Sequence, residues 1–350
     1  MTEPVTMSTS TASSPGDPVA TASPPPAVPD AVGGRDALRR RLGAIGVPLI
    51  LLALVLIFQA INDAFLSGDN IRTIFESAAL PTVVACGLTV VLVLGQFDLS
   101  IQAVAGLGTT AVAVLMAKHG IATAPAIALV VLGGAIVGLL NGVLVAYARL
   151  AALVVTIGMA SLLNGAEFAL TGSQAISTGI PTGFIEFARS EVGPIPTLVI
   201  VAAAAALVIW LLLDRTALGR EMRAVGANAD AARFAGVNVE RMIVIGFVVA
   251  AVAAAVAGLL YAGRQGNVYP LTGMSILLQS FAACFIGAAM FRVGQFNIPG
   301  TIVGSLLAAV VSNGLLLANV ANYATYFFQG GILIAAILFA RVVGGRGQEA

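Results

Sequence analysis

Asp214–Arg241 reads DRTALGREMRAVGANADAARFAGVNVER, 28 residues carrying nine charges between two long apolar stretches. The charges are Asp214, Arg215, Arg220, Glu221, Arg223, Asp230, Arg233, Glu240 and Arg241. A polar insert of this density reads as a loop at a membrane surface, with spans entering and leaving it. Inside it, Asn228 is placed to cap a short helix. The small face of that helix is Ala229, Ala231 and Ala232, with Asp230 in the first turn, Arg233 in the last and Gly236 as the stop. A compact charged helix hung between two spans has the shape of a docking element, and an ordinary charged surface loop is the competing reading.

Working outward, the rest of the chain is apolar. Of 350 residues, 59% are hydrophobic and 9% charged, against roughly 25% charged in a soluble domain. Apolar runs recur at 42–61, 77–97, 99–117, 120–148, 150–166, 192–213, 242–263, 265–291 and 293–340. A span takes about 20 residues, and the last run is long enough for two. The expectation is ten spans, at 42–61, 77–95, 99–117, 124–147, 151–169, 196–213, 242–262, 274–290, 298–317 and 324–341. The runs are continuous and do not alternate, which argues for helices over a β-barrel. The low aromatic content, 6%, and the many Ala and Gly suit helices packed backbone to backbone. The predicted fold is an all-α, polytopic membrane helical bundle with interrupted segments.

The placement of the 17 basic residues predicts its orientation. With a cytoplasmic N-terminus, Arg35, Arg39, Arg40, Arg41, Arg149, Arg215, Arg220, Arg223, Arg233, Arg241, Arg292, Arg341 and Arg346 fall inside. Only Arg72, Lys118, Arg189 and Arg264 fall outside. The positive-inside rule then puts both termini and the 214–241 loop in the cytoplasm of a multi-pass cell-membrane protein. Residues 1–34 lack Lys and Arg and are half Pro, Ser or Thr, so residues 1–40 read as a disordered tail, 41–342 as the membrane domain and 343–350 as a short cytoplasmic tail. Arg39–Arg41 before an apolar 20-mer resembles a signal-peptide start, but the run is long enough to span and reads as an uncleaved first span. Cys86 and Cys284 lie within spans and imply no disulfide framework.

Two segments interrupt the apolar pattern: Gly95-Gln96-Phe97-Asp98 and Gly294-Gln295-Phe296-Asn297-Ile298-Pro299-Gly300. Broken helices at membrane depth free backbone groups that only protein or a water-filled cavity can satisfy, so they point to a translocation path. Candidate path residues are Gln96, Asp98, Asn141, Asn164, Glu167, Gln279 and Asn313. Asp98 reads first as a cap accepting N–H bonds from the turn that starts the next helix, and second as a solute contact. Glu167 either lines the path or reaches the outer interface. The four amides either bridge helices or meet solute hydroxyls. Gly134, Gly138 and Gly142 form a ridge of small residues for helix packing. Phe184–Ala188, in the longest external loop, reads as a short interfacial helix.

These residues resemble the permease subunit of ribose-type ABC importers of sugars. Phe65-Leu66-Ser67 with Asn70-Ile71, Gly95-Gln96-Phe97-Asp98-Leu99-Ser100, and Asn141-Gly142 followed by Val155-Thr156-Ile157-Gly158-Met159 are similar to family segments in the same order. Leu218-Gly219-Arg220, Ala224-Val225-Gly226-Ala227-Asn228 and Ala231-Ala232-Arg233 with Gly236-Val237 resemble the family's cytoplasmic coupling loop. The resemblance runs from about 40 to 342. Gln96 stands where the family has a second glycine, and Ala288–Gln295 departs from a glycine-rich stretch.

The resemblance implies a second permease subunit, two cytoplasmic ABC ATPase domains, an extracytoplasmic binding protein and a small polar solute. It also assigns ATPase coupling to Arg220, Arg223, Gly226, Asn228, Asp230, Ala231, Ala232, Arg233 and Gly236. No Gly-x-x-x-x-Gly-Lys-Ser/Thr occurs in the chain, so ATP and Mg are expected on the partner, with no cofactor bound by this chain. With one histidine, no His-Glu-x-x-His and no Gly-x-Ser-x-Gly, neither a catalytic residue nor a metal site is expected. No nucleic-acid partner is expected either. An ion-coupled secondary transporter is the rival, because Asp98 and Glu167 are acids at membrane depth.

Overall fold

The structure is a computed structural model that describes residues 34–291, 294–321 and, beyond these, 323, 324, 327, 328, 330, 331 and 334; side chains are described from residue 46. The described residues form twelve α-helices, one 3₁₀ turn and one two-stranded hairpin. α1 (Gly34–Ile61) leads through the turn Asp63–Leu66 into α2 (Gly68–Val93). Next come α3 (Ile101–Ala117), α4 (Thr123–Ala146) and α5 (Ala152–Thr171). The connection that follows α5 holds α6 (Thr182–Arg189) and the antiparallel strands β1 (Glu191–Val192) and β2 (Ile195–Pro196), with Val192 opposite Ile195. α7 (Thr197–Arg215), α8 (Ala217–Ala227), α9 (Ala229–Phe234), α10 (Val239–Gln265), α11 (Met274–Ala288) and α12 (Ile298–Leu317) complete the bundle.

Among the described residues, six helices are long and apolar enough to cross a membrane: α2, α4, α5, α7, α10 and α12. Residues 46–61 of α1, α3 and α11 are shorter apolar helices, and the span expected at 324–341 lies largely outside the described residues. α3 and α11 each start after an irregular stretch, at Gly95–Ser100 and Gly266–Gly273. α1 starts at Gly34, seven residues before the expected start of the membrane domain at 41. The helix formers Ala37, Leu38 and Arg39–Arg41 extend the first span backwards. The remaining tail residues, like Arg292, Arg341, Arg346 and 343–350, lie outside the described residues.

α2 is the central helix, with 83% of its most apolar window buried, followed by α10 with 67%. α2 packs on α10, α12, α7 and α11, while α10 also packs on α4 and α3. The Gly134/Gly138/Gly142 ridge lies against α10. At Gly138 a side chain would come within 2.6 Å of the Phe247 carbonyl oxygen and 2.7 Å of Val248 Cα, so only glycine allows this spacing. A second cluster joins α1 to α12 and α11 through Phe58, Phe65, Ala282, Leu307 and Val311.

Candidate functional site

The charged stretch folds as two short helices. Thr216 caps α8 by accepting from Gly219 N at 3.2 Å. Asn228 caps α9, its Oδ1 accepting from Ala231 N at 2.9 Å, and Gly236 ends that turn at φ +86°. Asn238 then caps α10 by accepting from Arg241 N at 2.8 Å. The cap and stop read from the sequence are therefore present.

Which faces point outward differs from expectation. Ala232 is buried against its own chain, while Ala231 is exposed. Arg223 donates to Asp214 Oδ1 at 3.0 Å, and Arg233 bonds Asp230 at 3.4 Å and Glu240 at 2.6 Å. Arg223 is thereby engaged inside the loop, while Arg233, though paired, keeps 51% of its side chain exposed. The outward surface is Arg220, Asn228, Asp230, Ala231 and above all Phe234, whose side chain is 94% exposed. Sequence reading passed over Phe234. Its signal was an aromatic residue in an otherwise polar loop.

The inner face of α8 rests on both interrupted segments. A side chain on Gly226 would collide with the Val93 carbonyl at the end of α2, next to Gly95. Arg223 Nη1 donates to Phe296 O at 3.4 Å, in the segment before α12. Two sequence features read as separate, the charged loop and the broken helices, are thus one contiguous assembly.

Each broken segment is held by one buried polar side chain. Asp98 Oδ1 accepts from Ser100 N at 2.8 Å and from Ser100 Oγ at 2.6 Å. Ser100 Oγ in turn accepts from Asn141 Nδ2 on α4 at 2.8 Å. The carboxylate therefore orders the turn that leads into α3 and ties it to α4. Asn297 does the equivalent work before α12. Its Nδ2 donates to Gly287 O, Met290 O and Gln295 O at 3.0–3.2 Å, and its Oδ1 accepts from Gly300 N at 2.8 Å. Asn297 was not among the candidate residues, although Asn followed by Ile-Pro is a helix-start signature.

The other candidates do not converge on one spot in this chain. Gln96 is half-buried beside Asp98. Asn313 on α12 donates to Asn70 Oδ1 on α2 at 2.9 Å and so bridges helices. Glu167 is fully buried on α5 near the opposite end from the charged loop, bonded to Thr110 and to Leu271 N. Asn164 lies one turn below it, and Gln279 is half-buried on α11. Among the described residues no group of three or more His, Cys, Asp or Glu is placed to hold a metal.

Comparison with known proteins places this architecture. The family described as "Branched-chain amino acid transport system / permease component" matches residues 70–337. The D-allose transport system permease protein of Escherichia coli K12 is 29% identical over 85% of this chain and 91% of its own. The ribose import permease protein of Haemophilus influenzae is 29% identical over 85% and 92%, and the galactose/methyl galactoside import permease protein of Salmonella typhimurium 31% over 84% and 92%. No solved structure matches the chain. With a multi-pass helical bundle, two irregular connections (α2 to α3 and α11 to α12) meeting a charged loop, and a family match across most of its length, the chain belongs to this family of transport-system permease components.

Proposed function

We propose that the chain is the permease subunit of an ATP-binding-cassette importer and forms the path for a sugar or sugar-like small polar solute. The sugar class rests on the names of the relatives, which are allose, ribose and galactose permeases. In this reading the 41–342 domain crosses the membrane ten times, with both termini and the 214–241 loop in the cytoplasm. It pairs with a second permease subunit, identical or paralogous. Two cytoplasmic ATPase domains hold ATP and Mg, and an external binding protein delivers the solute.

The observation that carries the reading is the seat of α8. Its outer neighbour α9 presents Phe234 and Ala231 to a partner, beside the exposed Arg220 of α8 itself, while Gly226 and Arg223 on the inner side of α8 press on the ends of both interrupted segments. A partner that closes on nucleotide and moves α8–α9 therefore moves the backbone around Gly95–Asp98 and Phe296–Asn297. Rigid close packing at Gly226 transmits the displacement, because no side chain there can be squeezed out of the way. Nucleotide hydrolysis supplies the work, and this chain converts it into opening and closing of the path.

The test is uptake of labelled sugar into proteoliposomes containing this chain, its ATPase and its binding protein. Uptake that needs ATP inside and binding protein outside is the expected result. Uptake driven by a proton or sodium gradient without ATP would overturn it in favour of an ion-coupled carrier.

A further inference from the structure

α11 has fifteen residues, a rise of about 22 Å, against a hydrocarbon core of about 30 Å. The missing part of the crossing is supplied by Gly266–Gly273, which is not helical. This stretch penetrates deeply. A side chain on Gly273 would collide with the Gln102 carbonyl of α3 and come within 2.9 Å of Gly106 N, eleven residues below the outer end of that helix. Irregular backbone at such depth needs partners. Val268 finds them in Ile176 of the external loop, N to O at 3.0 Å and O from N at 2.9 Å.

Leu271 finds its partner in Glu167. The carboxylate Oε2 accepts from Leu271 N at 2.8 Å and from Thr110 Oγ1 at 3.4 Å. Glu167 is fully buried, and its Oε1 has no hydrogen-bond partner among the described residues. That oxygen lies against α3 at Gly106, where any side chain would come within 2.5 Å of it. Leu271 itself sits at φ +65°, a left-handed conformation disfavoured for a residue with a side chain. A strained residue is thus held in place by one buried side-chain acceptor reached from another helix.

We propose that Gly266–Gly273 is a movable strap in the outer half of the path, and that Glu167 is the positioning residue that latches it. The latch works by accepting the Leu271 N–H, not by carrying charge. Strain at Leu271 favours release, the Glu167 bond opposes it, and Gly266 at φ +65° and the side-chain-free Gly273 are the two ends about which the strap turns. Gln keeps the acceptor and Leu removes it, so the two substitutions separate this role from ion coupling.

Backbone hydrogen exchange across residues 266–273 is measured first on the permease alone in lipid nanodiscs. Glu167→Gln is expected to exchange like wild type and Glu167→Leu about tenfold faster, as for loss of one buried hydrogen bond. Leu271→Gly keeps the N–H and removes the strain, so its strap is expected to exchange more slowly than wild type; this variant decides the matter if Glu167→Leu does not assemble. In the complex with ATPase and binding protein, the strap is expected to exchange faster when nucleotide is trapped, and uptake by Glu167→Leu to fall about tenfold while assembly persists. Equal exchange in wild type and Glu167→Leu, faster exchange in Leu271→Gly, or equal exchange in all nucleotide states would overturn the proposal. The nanodisc measurement does not depend on ATP-driven uptake, so failure of the importer reading and failure of the latch give different results.

Discussion

Phe234 is the residue at which the docking account is most exposed to test. It contributes almost nothing to the chain's own packing, so Phe234→Asp is expected to leave thermal stability within about 0.5 kcal/mol of wild type while abolishing co-purification of the ATPase. Asp98 gives the opposite pattern. Asp98→Asn retains an oxygen for Ser100, whereas Asp98→Leu leaves the Ser100 N–H unpaired in a buried site, at about 1–3 kcal/mol for each group that loses its partner. ATP-driven uptake should therefore survive in Asp98→Asn and fall with folded yield in Asp98→Leu, read by transport and by a melt in detergent. The cap at Asn228 and the stop at Gly236 were legible because each follows from one residue's own backbone chemistry. The burial of Ala232 was not. In a helix of six residues the face that turns inward is set by what lies beneath, and here that is the folded-back chain.

At the scale of elements, the spacing of the helices depends on glycine. Gly226→Val is expected to push α8 off the Val93 carbonyl at an overpacking cost of about 1–3 kcal/mol. ATP hydrolysis should persist in that variant but no longer drive uptake, which a paired hydrolysis and transport assay reads. Gly138→Leu forces α4 away from Phe247 and Val248 and should lower the melting temperature in detergent without any link to the loop. The long spans were readable from hydropathy alone, and the helices α4, α5, α7 and α12 fall close to their expected limits. The starts of α3 and α11, expected at 99 and 274, likewise lie within two residues of Ile101 and Met274, whereas α2 starts at Gly68 and not at 77, because Asp69, Asn70, Arg72 and Glu76 in its first turns do not read as part of an apolar span. Nor does hydropathy show that α8 touches both broken segments, which come from parts of the chain more than a hundred residues apart.

Taken as a whole molecule, the chain has two unlike ends. One carries α8 and α9. The other carries α6, the hairpin and the Glu167 strap, joined by Arg189 donating to Arg264 O and Gln265 O at 2.9 Å and by Arg72 bridging Glu76 and Glu191. In the proposed orientation, which rests on the thirteen-to-four split of basic residues, the first end faces the cytoplasm. A cysteine at Val192, on the exposed hairpin, should react with a membrane-impermeant maleimide in intact cells, and one at Arg220 only after the membrane is opened. Cys86 and Cys284 are buried and free, so they leave the readout clean. The claim on which everything else depends is that an ATPase docks on α9 and drives the path through α8. A photo-crosslinking residue placed at Phe234 in the assembled transporter tests it most directly: the account expects a covalent adduct with the ATPase subunit, and an adduct with the external binding protein, or none in an actively transporting complex, would contradict it.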